Sequence, residues 1–438
     1  MKNYCSIITA AVVLFLMGAC QKGPIDSLNT PVVGTISGNP TRSDLFNLVT
    51  GIESGMRINY AGYLDGVGVI GREIYRFSGS EPRYTTDLLG GGTRILDNNT
   101  FYLTNPWGSR YQVMRQCFIL LDATRNARTE IASDVQKKAF SGFAKTVIGY
   151  QLLLNINMTD SSGARIPVPN GAAPGAVITD PAIVLDSVLK FLDEGQTDLT
   201  GSTVMFPLSD GFAGFKDAAG LLKFNRALAA RVHIYRKEWA EALTALNGSF
   251  FDLNGALNTG VFHFFSTNGG DIANTMYLAP NTNGEVRVSH PSYAANIVPG
   301  DDRLAKTALR NSPISQNGLT GTRDVVIWSS LNAPISIIRN EELILIYAEA
   351  KIQSGALPDA IVALNRIRSL HNMTPYAGAI TPAALITELL YQRRYSLFME
   401  GHRWVDLRRY NLLGTLPKDR PDDDVWTRYP LPQNESNL

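Results

Sequence analysis

Cysteine is scarce in this chain, with three in 438 residues. Cys5 and Cys20 both fall in the first twenty residues, leaving Cys117 alone in the body, so no disulfide framework can hold the fold. An excess of charge of either sign is also missing: 40 Lys+Arg stand against 39 Asp+Glu, a net charge of +1, and no Lys/Arg-rich run occurs. Nucleic acid is recognised by basic surfaces that displace counterions from phosphates, so nucleic acid is excluded as a partner. Beyond the N-terminus no apolar stretch approaches the roughly 20 residues a membrane-spanning helix needs, which excludes a polytopic membrane protein. A hydrophobic fraction of 45% with 18% charged residues excludes wholesale disorder. The length exceeds the approximately 250–300 residues at which a single core stops growing. Two domains or an elongated helical array are therefore expected.

What is present begins with an export signal over residues 1–19. Lys2 supplies the positive end, residues 7–17 are apolar apart from Thr9, and Gly18-Ala19 offer the small residues a signal peptidase accepts. Cys20 follows directly and resembles the lipid-accepting cysteine of a bacterial lipobox, which makes Cys20 the expected lipidation site. Residues 20–40 are rich in Pro and Gly and poor in large apolar residues, as in a flexible tether. The folded domain is expected over 41–438.

Helical periodicity dominates that body. Tyr111, Met114, Phe118 and Leu121 share one face, and Phe140, Phe143, Val147, Tyr150 and Leu154 another. Asp180-Pro181 and Thr381-Pro382 each read as an N-cap followed by Pro at the first helical position. Strand alternation is sparse, with 324–328 and 333–339 the main candidates. Segments 229–247 and 347–365 repeat one pattern: Ala230, Trp239, Ala242 and Leu246 align with Ala348, Leu357, Ala360 and Leu364. That spacing predicts tetratricopeptide-like helical hairpins near 222–248 and 340–370, in which Ala lets the helices approach and the larger residues fill the groove. Gly355 suits the sharp turn between helices; Lys237, its counterpart, does not. Such units bury their apolar faces only by stacking, and helices at 135–156 and 181–199 are candidates for the remainder.

From residue 339 the sequence becomes distinctive. Arg339-Asn340-Glu341-Glu342 leads into Tyr347-Ala348-Glu349-Ala350, followed by Leu364-Asn365-Arg366-Ile367-Arg368, Arg393-Arg394, Glu400-Gly401-His402-Arg403-Trp404-Val405-Asp406-Leu407-Arg408-Arg409 and Tyr429-Pro430-Leu431-Pro432-Gln433. This ordered set, with the helix over 222–235 and the Trp107/Tyr111 pair opening another, resembles the SusD/RagB family of surface lipoproteins. The resemblance implies a mainly α, tetratricopeptide-like SusD fold with long loop-rich excursions. It also implies a lipid-anchored outer-membrane protein that captures oligosaccharide and delivers it to a SusC-like TonB-dependent β-barrel transporter. A peptide-binding lid of the same architecture is the nearest alternative, with a lipid-anchored hydrolase and an assembly factor behind it.

Catalytic signatures are missing. The five histidines include no HExxH pair, no G-x-S-x-G elbow occurs, and Ser187–Lys190 matches S-x-x-K only within an amphipathic helix. No metal, cofactor or catalytic residue is expected, and Asp422-Asp423-Asp424 reads as a solvated loop. The charged residues Arg339, Glu349, Arg368, Glu400, Arg403 and Asp406 are expected to pair and lock helix crossings. Ligand contact is sought in the loops. Residues 75–107 interleave aromatics with Arg and Asn, a mixture suited to sugar rings and hydroxyls. The candidate contacts there are Tyr75, Arg83, Tyr84, Asn98, Asn99, Phe101 and Tyr102. A second aromatic stretch over 262–293 adds Tyr277 and Tyr293.

Overall fold

The helical pattern is realised almost throughout. The computed structural model describes residues 38–91 and 93–436; Cys20, the leader and residues 20–37 of the tether lie outside the described residues. The helices are α1 (Arg42–Arg57), α2 (Tyr60–Ile70), α3 (Phe101–Asn126), α4 (Asp134–Thr159), α5 (Pro181–Leu199), α6 (Ala218–Tyr235), α7 (Trp239–Asn247), α8 (Pro291–Ala295), α9 (Asn340–Gln353), α10 (Leu357–Leu370), α11 (Pro382–Ser396), α12 (Arg403–Arg409) and α13 (Gln433–Ser436). Asp180 and Thr381 cap α5 and α11, accepting from the Ala182 and Ala384 N–H groups. α3 starts at Phe101, so Trp107 sits in its second turn instead of opening it, and Pro106 is carried inside the helix. No helix among the described residues is long and apolar enough to cross a membrane.

Small residues set how closely the helices approach. A Cβ on Gly142 of α4 would lie 2.5 Å from the Leu199 side chain and 2.9 Å from the Gly195 carbonyl oxygen of α5, so only glycine permits this crossing. The two repeated segments form the hairpins α6–α7 and α9–α10, with Ala230, Ala242, Ala348, Ala360 and Leu364 fully buried and Leu246 nearly so. Gly355 turns the second hairpin at φ 78°, and Lys237 turns the first at φ 61°. A lysine thus takes the left-handed conformation that the sequence pattern reserves for glycine.

Strands are more numerous than the alternation suggests. An antiparallel sheet of order β1-β5-β7-β6 joins β1 (Ile74–Phe77), β5 (Val286–Ser289), β7 (Leu319–Val325) and β6 (Thr307–Gln316). Two short pairs complete the set, β2 (Ala164–Arg165) with β3 (Val177–Ile178), and β4 (Gly260–His263) with β8 (Ile335–Arg339). The segment read as 324–328 is only the end of β7, whereas 333–339 corresponds to β8. β6 escapes notice because it is an exposed edge: Leu309 is 69% accessible, and no buried face imposes apolar alternation. Its hairpin turn, Asn317 at φ 50° and Gly318 at φ 78°, is nonetheless an Asn-Gly signal of the strongest kind.

The charged motif residues mostly serve packing. Arg339 pairs with Glu341 and, at 2.8 Å, with Glu400; Arg393 and Arg409 meet Asp406 at 2.7 and 3.0 Å; Arg409 also holds Glu349, and Arg368 holds Glu388 at 2.6 Å. Arg403 is the exception. It has no carboxylate partner among the described residues, its Nε donates to the Gly71 carbonyl, and burial pulls its pKa down to about 10.

Candidate ligand site

The loop-rich end of the molecule encloses a cavity of about 490 Å³, within the usual range for small-ligand sites. Its walls come from the α1–α2 turn, β1, the N-terminus of α3, the loop 265–275 and β5. Asn59 makes the turn possible by adopting φ 56°, and its side-chain amide donates to Ser109 Oγ at 2.8 Å, fixing α1 and α2 against α3.

Every cation in the lining is matched. Arg287 makes a bidentate pair with buried Asp65, 2.6 and 2.7 Å, and donates to the Thr275 and Met276 carbonyls, pinning the loop. Arg76 holds Glu285 and lies 3.5 Å from Asp65. Arg57 pairs with Asp271 at 2.7 Å. Because fork-shaped guanidiniums meet carboxylates in a largely desolvated setting, the cavity is polar yet charge-compensated.

An aromatic corner stands over that floor. The Tyr84 and Phe101 rings meet edge to face at 5.3 Å, Arg76 lies 5.3 Å from the centre of the Tyr84 ring, and Arg83 caps Phe101 at 4.9 Å. Burial first, and then nearby Asp65, push the Tyr84 phenol up to about 12, so it is a neutral donor at physiological pH. Its hydroxyl and the Asn105 amide have no hydrogen-bond partner among the described residues. Arg57 also borders a smaller cavity of about 280 Å³ containing Glu53 and His263, so residues 264–273 form a partition between the two.

The sequence-predicted contacts separate into groups. Tyr84 and Phe101 line the cavity, and Arg83 stands behind Phe101. Tyr75, Tyr102 and Tyr293 are buried and are corrected to core residues. Tyr75 packs on Phe77 and His290. The Tyr102 hydroxyl accepts from the Asp97 N–H and donates to Asp87, and the Tyr293 hydroxyl donates to the Arg303 carbonyl. Asn98 lines a separate, open depression with residues 93–97. The Asn99 N–H closes an Asx turn on Asp97, and Tyr277 is half-buried against the core. Sequence reasoning missed Arg57, Asn59, Asp65 and Arg287. Their one local signal is Asn59 at a helix–helix junction, which Arg57 and Asp65 flank, whereas Arg287 is supplied by distant β5.

Other groupings have structural explanations. Asp423 is a buried turn cap that accepts from the Asp419 and Arg420 N–H groups, which corrects the solvated-loop reading at that position, while Asp422 and Asp424 are exposed as read. No cluster of three His, Cys, Asp or Glu suited to a metal occurs among the described residues. Ser292, His290 and Asp419 lie in a hydrogen-bonded line, with His290 Nδ1 2.8 Å from Ser292 Oγ and Nε2 3.0 Å from Asp419. The same Nδ1 accepts the Ser292 N–H, so this is the N-cap of α8.

Residues 328–436 match the SusD family model, and the described residues adopt the fold of solved SusD proteins. That C-terminal stretch carries the SusD family signature, and the fold around it is the SusD fold. A SusD superfamily protein from Bacteroides vulgatus aligns with a TM-score of 0.66 at 16% identity, covering 90% of this chain and 97% of its own. One from Bacteroides fragilis gives 0.67 at 14%, covering 91% and 97%. A SusD-like carbohydrate-binding protein from Bacteroides vulgatus gives 0.63 at 16%, covering 84% and 83%. At these identities the structural likeness shows the fold, and the SusD fold is the mainly α, tetratricopeptide-like architecture described above. No curated protein matches the chain.

Proposed function

We propose that this SusD-fold protein is a lipid-anchored outer-membrane protein that captures oligosaccharide in the cavity between α1, α3 and the loop 265–275, and delivers it to a SusC-like TonB-dependent transporter. The observation that carries the reading is the aromatic corner of Tyr84 and Phe101 above a charge-compensated polar floor. Aromatic faces suit the C–H faces of sugar rings, while the Tyr84 hydroxyl and the Asn105 amide can address hydroxyls. A charged ligand would compete with pairs already made, whereas a neutral polyol leaves them intact. The carbohydrate-binding relative and the absence of catalytic motifs favour binding without turnover. Lipid at Cys20 would supply the anchor, since each buried CH₂ contributes about 0.8 kcal/mol.

Two measurements test this. In a glycan-panel titration, Phe101→Ala and Tyr84→Ala should each weaken the best ligand by at least tenfold, about 1.4 kcal/mol. Val362→Ala, exposed on α10, should change nothing. Equal affinity in all variants would move the site elsewhere, and tight binding of peptides alone would turn the reading to a peptide-capturing lid. Capture of the lipidated protein from solubilised outer membranes should recover a large β-barrel in near-equal amount, and Cys20→Ala should lose membrane retention.

A further inference from the structure

A second cleft lies along the ends of the stacked helices, away from the residues of the sugar-capture proposal. Two cavities of about 510 and 300 Å³ share Tyr235, Lys237 and Arg409. The larger is bounded by the end of α4, the start of α5 and α12; the smaller by Trp239 of α7, Gln353 of α9 and residues 410–411. The cleft therefore crosses the turn of the first repeat and reaches the last turn of α9 in the second.

Its chemistry is cationic and aromatic. Arg409 lies 5.7 Å from the Tyr235 ring centre and 4.7 Å from that of Tyr410, so the guanidinium sits against both rings. Three of the cations are already held. Arg236 pairs with Asp186 and Glu238, Arg408 with Asp160, and Arg409 with Glu349 and Asp406. Asp180, the remaining carboxylate in the lining, is spent on the Ala182 N–H. Lys237 differs, being exposed with no acidic partner among the described residues. It also sits at φ 61° where the second repeat has Gly355 at φ 78°, so this turn carries a steric cost that glycine would avoid. Asp160 and Asn411, which line the same cleft, also have positive φ, at 44° and 55°. Strain gathered around an unpaired cation in a concave site is the pattern expected where backbone geometry presents a charge.

We propose that this cleft docks a segment of a partner protein in which carboxylates alternate with apolar side chains. A carboxylate meets the Lys237 ammonium, and the apolar side chains lie on Tyr235, Trp239 and the floor formed by Leu185 and Val405. Extended concave surfaces on helical repeats suit extended segments. A neutral sugar would leave the lysine unpaired, so this surface is separate from the glycan cavity.

The test uses the full chain and an acetylated octapeptide alternating Glu with Leu and Phe, carrying a photoreactive group, beside its Gln-for-Glu counterpart. The acidic peptide should bind roughly tenfold more tightly than the Gln peptide, lose affinity as salt rises, and crosslink to residues 235–239 or 408–411. Lys237→Gly should weaken the acidic peptide roughly tenfold with a melting temperature equal to or above that of the parent, because glycine relaxes the turn. Lys237→Arg should retain binding. Equal affinity for the two peptides, unchanged binding by Lys237→Gly, adducts elsewhere or no binding at all would each overturn the proposal.

Discussion

Replacing Arg231 with alanine should lower the free energy of unfolding by about 3–5 kcal/mol, the cost of stranding a buried charge. Arg231 is 4% exposed and Glu342 is fully buried. Nε and Nη2 of the arginine meet the two carboxylate oxygens at 2.6 Å each, and Nη2 also donates to the Ile337 carbonyl at 2.7 Å. The arginine belongs to α6 of the first repeat and the carboxylate to α9 of the second, with β8 held between them, so one side chain ties three elements. Nothing nearby can replace it. His402 Nε2 lies 3.6 Å from Glu342, but burial pulls its pKa well below the ordinary histidine value, so the ring is neutral. Urea unfolding of Arg231→Ala at neutral pH measures the loss. The double variant Arg231→Met with Glu342→Leu should recover most of it, because well-packed apolar residues remove the stranded carboxylate. A loss below about 1 kcal/mol in the single variant, the level of an exposed ion pair, would mean that the pair is solvated. A double variant as unstable as the single would mean that the pair itself, and not the orphaned charge, carries the energy.

This ion pair also shows where sequence reading stops. The helical hairpins were legible because Ala230, Ala242, Ala348 and Ala360 face a neighbour at fixed spacing, a local pattern that survives translation into structure. Lys237 broke the pattern locally, yet the hairpin formed because the turn geometry is imposed by packing on both sides. The cavity was half legible. Tyr84 and Phe101 stand in an aromatic stretch that advertises itself, but Tyr75 and Tyr102 stand in the same stretch and are core. Composition cannot separate them, because both kinds of aromatic are chosen for the same large apolar face. What separates them is tertiary: β1 pairs with β5 and both its faces are covered around Tyr75, while Tyr102 on α3 turns its hydroxyl inward to Asp87 and Asp97. Arg57 and Asp65 flank the α1–α2 turn, but Arg287, the partner of Asp65, comes from β5 more than 200 residues on, so no local window could assemble the set.

The last expectation concerns pH. Glu73 precedes β1 and is 3% exposed, and its carboxylate accepts a hydrogen bond from the Met399 N–H at 3.1 Å. Burial outweighs that bond and the charges of Arg403 and Arg394, pushing its pKa from 4.5 to about 7. Between these values the folded state binds more protons than the unfolded state, so stability present below pH 4.5 is lost as pH rises through 7. At about 1.4 kcal/mol per unit, the loss by pH 8 is on the order of 3 kcal/mol. Carboxylates paired with cations, such as Asp301 and Asp406, are held below their ordinary values and act in the opposite sense. Their contribution is lost only as pH falls below about 4, so the two effects occupy separate windows. Glu73→Gln keeps an acceptor for the Met399 N–H and removes the ionisation. It should stabilise the protein by on the order of 3 kcal/mol at pH 8 and by little at pH 4.5, flattening the profile between them. Glu53, whose pKa burial also raises to about 7, contributes a slope of the same sign, so part of the fall in stability should persist in Glu73→Gln; in the pair with Glu53→Gln the opposite slope of His263, His290 and His402, whose pKa values burial lowers, should remain. An unaltered slope in Glu73→Gln, measured by urea unfolding across this range, would show that water reaches the carboxyl and that the gap between α2 and the Met399 turn is open.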